Sequence, residues 1–291
     1  LTVAGTISMI CTTNSGTISN LIIGTMTSSI SIQDQDVFWF GVCNENKGSI
    51  TNVVNYYSVT LSSQSKSTRM GYAGIANKNT GTVSRCANYG NIEICSINAT
   101  VGGIVANNEG VVERCVLKNT SSKITMPKVS DTAIVYFGGI VGNNATSGTI
   151  SYSYTYTNTT VYRYASNTSN DKVYIAGLVG YSANDKISRS YVYNKITAQS
   201  SQNVQIGSIY MFAYIANVQS SSDTYCYCNQ RETYSPIGGS TQFSIQEYSN
   251  KPSGTDLNKG GDAYYVANES NFPSLVWETE FDNLWKENTA V

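Results

Sequence analysis

The polar and apolar positions of this chain do not follow the period of a helix. Apolar residues fail to recur at i, i+3 and i+4 over any long window; short runs of two or three apolar residues alternate with stretches of Asn, Ser, Thr and Gly. Such runs predict short strands separated by turns, and they return in nearly the same order. FGVCNENKGSITNV (Phe40 to Val53), AGIANKNTGTVSRC (Ala73 to Cys86) and GGIVANNEGVVERC (Gly102 to Cys115) align with GGIVGNNATSGTISYS (Gly138 to Ser153) and AGLVGYSANDKISRS (Ala176 to Ser190). A copy without its leading glycine spans Thr12 to Leu21, and a decayed one runs from Ile206 to Cys228. The leading glycines Gly41, Gly74, Gly103, Gly139 and Gly177 are 33, 29, 36 and 38 residues apart, so the motif is constant and the loops vary.

A two-residue strand such as Ile140-Val141 cannot bury a face alone. Stacking successive coils about 4.8 Å apart buries each against the next and pairs its backbone groups. The expected fold is therefore all-β: a right-handed parallel β-solenoid of about seven coils over residues 1–235. An irregular, aromatic-rich segment over 236–291 is expected to cap it or to dock a partner. In such a stack equivalent positions form columns. Two residues beyond the turn glycines Gly16, Gly48, Gly81, Gly110 and Gly148 the column is Ile18, Ile50, Val83, Val112 and Ile150, with Ile187 next: a β-branched core stripe. Five residues beyond comes Leu21, Val53, Cys86, Cys115, Ser153 and Ser190, with Cys226 in the decayed copy, which predicts a tight inward corner. Asn and Gly between strands are expected to supply turns through left-handed backbone conformations.

The repeats resemble the GLUG motif, named for its Gly-Leu-hydrophobic-Gly core. Gly177 to Gly180 (GLVG) matches it, Gly139 to Gly142 (GIVG) is close, and Gly103 to Ala106 (GIVA) departs at the last position; the resemblance covers roughly residues 5 to 230. It implies a β-solenoid of large surface and secreted proteins, including non-catalytic parts of IgA-specific metallopeptidases.

Composition narrows the chemistry. Histidine is absent, which removes Ser-His-Asp triads, Cys-His pairs and histidine zinc sites. Charged residues are only 13% and the net charge is −1, unlike a nucleic-acid binder with its basic face. No run of eighteen apolar residues predicts a membrane-spanning helix. The opening residues lack a methionine, a basic stretch or a cleavage pattern, as expected of a processed chain or a piece of a longer one. No catalytic, metal or cofactor residues are expected: acids are scattered, and Asp34 and Asp36 form the one close acidic pair outside the tail, read as a solvated loop rather than a calcium site.

Other features admit two readings. The seven cysteines could bridge, above all Cys86 with Cys115, or serve as small buried apolar residues, and the second is favoured. The alternating Tyr152, Tyr154 and Tyr156, Tyr191 and Tyr193, and Tyr225 and Tyr227 form either an aromatic strip for sugars or a partner, or a packed column, again the favoured reading. Six sequons (Asn98, Asn119, Asn144, Asn158, Asn167, Asn268) carry little weight in so Asn-, Ser- and Thr-rich a chain. Thr17/Ser19, Ser49/Thr51, Thr82/Ser84 and Thr149/Ser151 make a hydroxyl ladder of the ice-binding kind, broken by Val111/Glu113 and Lys186/Ser188. The expected role is a non-catalytic structural or adhesive module of an extracellular or cell-surface protein, touching a protein or glycan there, with the strand edge at Leu1 to Ile10 pairing with either a preceding domain or the next copy in a filament. The alternative is a carbohydrate-active β-helix, binding or cleaving polysaccharide.

Overall fold

A computed structural model describes residues 5–33, 36–63, 69–127, 132–164, 170–200, 208–217, 226–229, 234, 237–239, 246–248, 265–267 and 273–275. The described residues contain no helix and form a parallel β-solenoid of about six coils. The first sheet stacks Gly5–Ser8, Val37–Phe40, Met70–Ala73, Asn98–Gly102, Ile134–Gly138, Lys172–Ala176 and Ser208–Tyr210. The second runs from Cys11–Asn14 to Ile237–Gly239 in eight strands. The third, of sixteen strands, starts at Thr17–Ile23 and Ser29–Gln33 and includes two ten-residue strands, Tyr154–Arg163 and Tyr191–Ser200. Among the described strands only Tyr265–Ala267 and Pro273–Leu275 pair antiparallel. Phe272, Trp277, Phe281 and Trp285 of the expected cap lie outside the described residues, as do Asp34, Leu1 to Ala4, Tyr225, Asn167 and Asn268.

Register places like on like. Ile18 pairs with Ile50, Ile50 with Val83, Val83 with Val112, Val112 with Ile150 and Ile150 with Ile187. All but the half-buried Ile18 are buried. Opposite this stripe the first sheet sends Ile7, Trp39, Tyr72, Val101, Phe137 and Ile175 into the lumen, with Trp39 stacked on Tyr72 at 5.5 Å. Each such side chain contributes roughly 1.5–3 kcal/mol by leaving water.

The glycines owe their place to contact. A Cβ on Gly48 would lie 2.0 Å from the carbonyl oxygen of Gly16, and one on Gly81 2.1 Å from that of Gly48. The leading glycines behave likewise: Gly41 abuts the carbonyl of Gly74, and Gly103 that of Gly139, each at 1.9 Å. Coils at β-sheet spacing leave no room for a side chain there.

Asparagine plays a different part from the one expected. Asn14, Asn46, Asn79, Asn108 and Asn144 are buried, and each Nδ2 donates to the Oδ1 of the next at 2.8–2.9 Å, the last to Ser182 Oγ at 3.0 Å. The same amides donate to strand carbonyls such as Thr82 and Val111. The side chain, not the backbone, is what the position requires: it satisfies buried polar groups that the turn leaves open. Burial also removes Asn119 and Asn144 as glycosylation sites.

Left-handed backbone occurs at another corner. Asn20, Asn52, Arg85, Arg114, Tyr152 and Arg189 have φ from 47° to 56°, one per coil. Four of them are Arg or Tyr, for which this region costs on the order of 1–3 kcal/mol. Each immediately precedes a residue of the Leu21, Val53, Cys86, Cys115, Ser153, Ser190 column, which is buried from Val53 onward and forms the expected inward corner. Tyr152 lies between Arg114 and Arg189, whose guanidinium carbons sit 5.2 and 5.4 Å from its ring. All seven cysteines are free thiols. Cys86 and Cys115 donate to the carbonyls of Ile50 and Val83, and Cys11 and Cys43 form an in-register pair that the sequence reading did not single out.

Candidate functional site

Three residues past the corner column, every coil from the second to the sixth places a large side chain on one line: Tyr56, Tyr89, Lys118, Tyr156 and Tyr193. Strand register carries the line, with Asn55 beside Asn88, Asn88 beside Leu117, Lys118 beside Tyr156 and Tyr156 beside Tyr193. The tyrosines stack in two pairs. Tyr56 and Tyr89 have centroids 5.2 Å apart and planes inclined by 18°; for Tyr156 and Tyr193 the values are 5.8 Å and 6°.

These rings line two adjoining hollows of about 400 and 250 Å³ that share Asn119, Thr120 and Tyr156. Ser58, Asn91 and Met26 close the first, and Asn158, Thr157 and Lys195 the second. Together they make a groove parallel to the solenoid axis. Its polar wall is fixed from beneath: Asn119 Nδ2 donates to Gly90 O at 2.9 Å and Thr157 Oγ1 donates to Asn119 Oδ1. Asn91 Oδ1 accepts from Thr120 Oγ1 at 2.9 Å and from Ser121 N at 3.0 Å. The lining residues include two lysines and no carboxylate.

Among the described residues the acidic groups elsewhere are dispersed. Asp36 pairs with Arg69, Glu45 with Lys47, Glu93 with Lys123, Glu109 with Lys78, Glu113 with Arg114 and Asp171 with Arg163. The hydrogen bond from Lys123 to Glu93 holds the lysine above its usual pKa. Among the described residues no three of His, Cys, Asp and Glu gather into a metal-sized group.

The tyrosines singled out in the sequence divide. Tyr154 and Tyr191 are buried and stacked at 4.7 Å, as a packed column requires, whereas Tyr156 is 38% exposed in the groove. Tyr154 and Tyr156 belong to the strand Tyr154–Arg163, two residues apart, so the packed reading holds for Tyr154 and Tyr191 while Tyr156 is open to the groove. Tyr152 has a left-handed backbone and lies just before that strand, so the alternation runs unbroken only from Tyr154 onward. Tyr56, Tyr89, Lys118, Asn91 and Lys195 were missed. Extending the aligned motif three residues beyond Val53, Cys86, Cys115, Ser153 and Ser190 would have found the line.

A second group, Tyr136, Tyr174, Tyr181, Tyr210 and Tyr214, packs ring against ring at 4.4–5.9 Å on the corner between the first two sheets. Burial raises the hydroxyl pKa of Tyr136 and Tyr174. These rings satisfy one another and frame none of the hollows described above.

Fold and groove together define a parallel β-solenoid with an aromatic, donor-rich surface channel. Comparison with family models, curated proteins and solved structures finds nothing that matches the chain.

Proposed function

We propose that this chain is a non-catalytic adhesive module of a secreted or cell-surface protein, with the solenoid as a stiff scaffold and the tyrosine groove as its contact face. The observation that carries the reading is the line from Tyr56 to Tyr193, a ready-made aromatic platform over five successive coils. Aromatic side chains with hydroxyl tips present apolar area and a polar handle together, at low entropic cost. The resemblance to GLUG repeats supports a surface location. The dispersed, cation-paired carboxylates support a binding rather than a cleaving role, because glycoside cleavage needs two carboxyl groups flanking one bond.

The test is retention of the purified chain on glycan- and protein-coated surfaces, with release of reducing ends and peptides followed in parallel. Retention without turnover is expected. Turnover that disappears on mutating one acidic residue overturns the reading.

Assembly into a filament is a second reading, favoured by the first coil. Its strands each pair on one side only among the described residues, and Met9, Ile10, Ile22 and Met26 are 40–84% exposed. Unpaired edges of this kind accept further strands. Sedimentation at rising concentration tests it: a chain that stays monomeric contradicts self-assembly.

A further inference from the structure

The first coil presents a stacking face of its own. Among the described residues no strand lies on the outer side of Gly5–Ser8, Cys11–Asn14, Thr17–Ile23 or Ser29–Gln33. The apolar columns are open there: Ile22 is 40% exposed, whereas Val54 beside it is 1% exposed and Ala87, next in the column, is fully buried. Gly16 is the more telling residue. At Gly48, Gly81 and Gly110 a Cβ would point to the preceding coil and lie 2.0–2.2 Å from the carbonyl oxygen of its turn glycine. Nothing lies within 4 Å of the same position on Gly16, and its backbone is not left-handed. Neither contact nor conformation among the described residues requires a glycine there, whereas a carbonyl stacked against it would.

The hydrogen-bonding groups of the same turn specify what would stack on it. In later coils the residue after the turn glycine donates its N–H to the turn-glycine carbonyl of the coil before: Ser49 to Gly16, Thr82 to Gly48, Val111 to Gly81 and Thr149 to Gly110, at 2.8–2.9 Å. Thr17 holds that position in the first coil. The residue before the glycine donates to the carbonyl of the preceding ladder asparagine: Lys47 to Asn14, Thr80 to Asn46 and Glu109 to Asn79, each at 2.8 Å. Ser15 is its first-coil counterpart. Asn108 Oδ1 accepts twice, from Gly110 N at 3.3 Å and from the preceding Asn79 Nδ2 at 2.9 Å. Asn14 Oδ1 accepts from Gly16 N at 3.1 Å, and the second donor is the one a preceding coil would bring. The complement is two carbonyls and one side-chain amide, the set that each Asn-x-Gly turn, such as Asn79-Thr80-Gly81, presents to the coil after it. From this match we infer that the open face of the first coil is a stacking surface for a further coil of the same repeat, one that carries Asn at the ladder position. The far end of a second copy fits less well. Register carries the ladder position from Asn144 through Ser182 and Ile215 to Gly239, and the last three have no amide side chain to donate.

Stacking of this kind is independent of the tyrosine groove and goes beyond the adhesive reading; it names which occupant the first-coil edge takes. The test adds one coil to the whole chain. A second copy of residues 70–98, inserted between Ala4 and Gly5, lets Gly5 follow it in the register that Ala99 occupies. The melting temperature should rise by about 5 °C or more, and the amides of Ser15 and Thr17 should exchange with solvent at least about tenfold more slowly. Gly16→Ala is the decisive variant. In the unaltered chain it should leave the melting temperature unchanged; in the lengthened chain it should remove the gain, because its methyl meets the added carbonyl. Asn79→Ala in the added copy alone should lower the gain. A lengthened chain that melts no higher, or one whose gain survives Gly16→Ala, overturns the inference. So does concentration-dependent association of the unaltered chain that Gly16→Ala abolishes, which gives the face to a second copy. Retention on glycan or protein surfaces is untouched by any of these outcomes, so the adhesive reading stands or falls separately.

Discussion

The asparagine line from Asn14 to Asn144 and the tyrosine line from Tyr56 to Tyr193 come from one geometric rule and do opposite work. Both repeat a side chain at one position of successive coils, and both let each copy touch the next. The asparagines face a dry interior, where an amide that donates and accepts can bond to its own image without end. The tyrosines lie at a half-exposed turn, where stacked rings line a groove open to solvent. A stacked fold thus converts sequence repetition into continuity, and burial decides whether that continuity serves stability or contact.

The sharpest way to break this contrast is to charge the core column. Ile150→Asp would bury a carboxylate between Val112 and Ile187 with no partner. A loss of about 4 kcal/mol or more is expected, read as disappearance of the cooperative melting transition. Next come the turn glycines. Gly81→Ala drives a methyl into a carbonyl and should cost about 3 kcal/mol, whereas nothing lies within 4 Å of a Cβ on Gly16, where Ala should be close to neutral. Denaturant midpoints of the two variants measure the difference.

Asn79→Ala removes partners from Asn46, Asn108 and the Val111 carbonyl at once. A cost of about 2–3 kcal/mol is expected, against under about 1 kcal/mol for the half-buried Asn107→Ala. Equal costs would mean that the buried amides are not what holds the turns.

Alkaline titration separates inside from outside without mutation. Burial, with Cys11 alongside, pushes the Cys43 thiol up to about 12 from its ordinary 9.0, and burial raises Cys115 and Tyr72 as well. The folded state therefore holds these protons more tightly than the unfolded chain does. Their contribution to stability is complete below about pH 9 and is lost as pH climbs toward 12. Melting temperature should be insensitive to these groups between pH 6 and 8 and fall above about pH 9; a rise there would contradict the assignment.

How much of this was legible in the sequence depended on whether backbone or side chain made a position repeat. The glycine-anchored motif fixed the register, so the column from Ile18 to Ile187 and the corner at Cys86 and Cys115 could be placed coil by coil. The asparagines recurred just as plainly, but recurrence does not say which part of a residue is needed. Among the described asparagines Asn20 and Asn52 alone use left-handed backbone, and the five of the buried line from Asn14 to Asn144 use their amides. The glycines suffered the reverse confusion, being required for close approach between coils more than for turn conformation. The groove was hidden for a third reason. Its residues fall just past the aligned motif, and alternation assigns a face without saying how much of it neighbouring residues cover, so Tyr154 and Tyr156 could not be told apart.

The measurement that bears most directly on the division of labour takes stability and retention from one variant. Replacing Tyr89 and Tyr156 together by alanine should shift the unfolding free energy by only about 1–2 kcal/mol, because both rings are partly solvent-exposed. Retention on the surface that captures the unaltered chain should be lost. A variant that unfolds at ambient temperature, or one that keeps its full retention, would place the tyrosine line with the asparagines as a structural ladder and contradict the account.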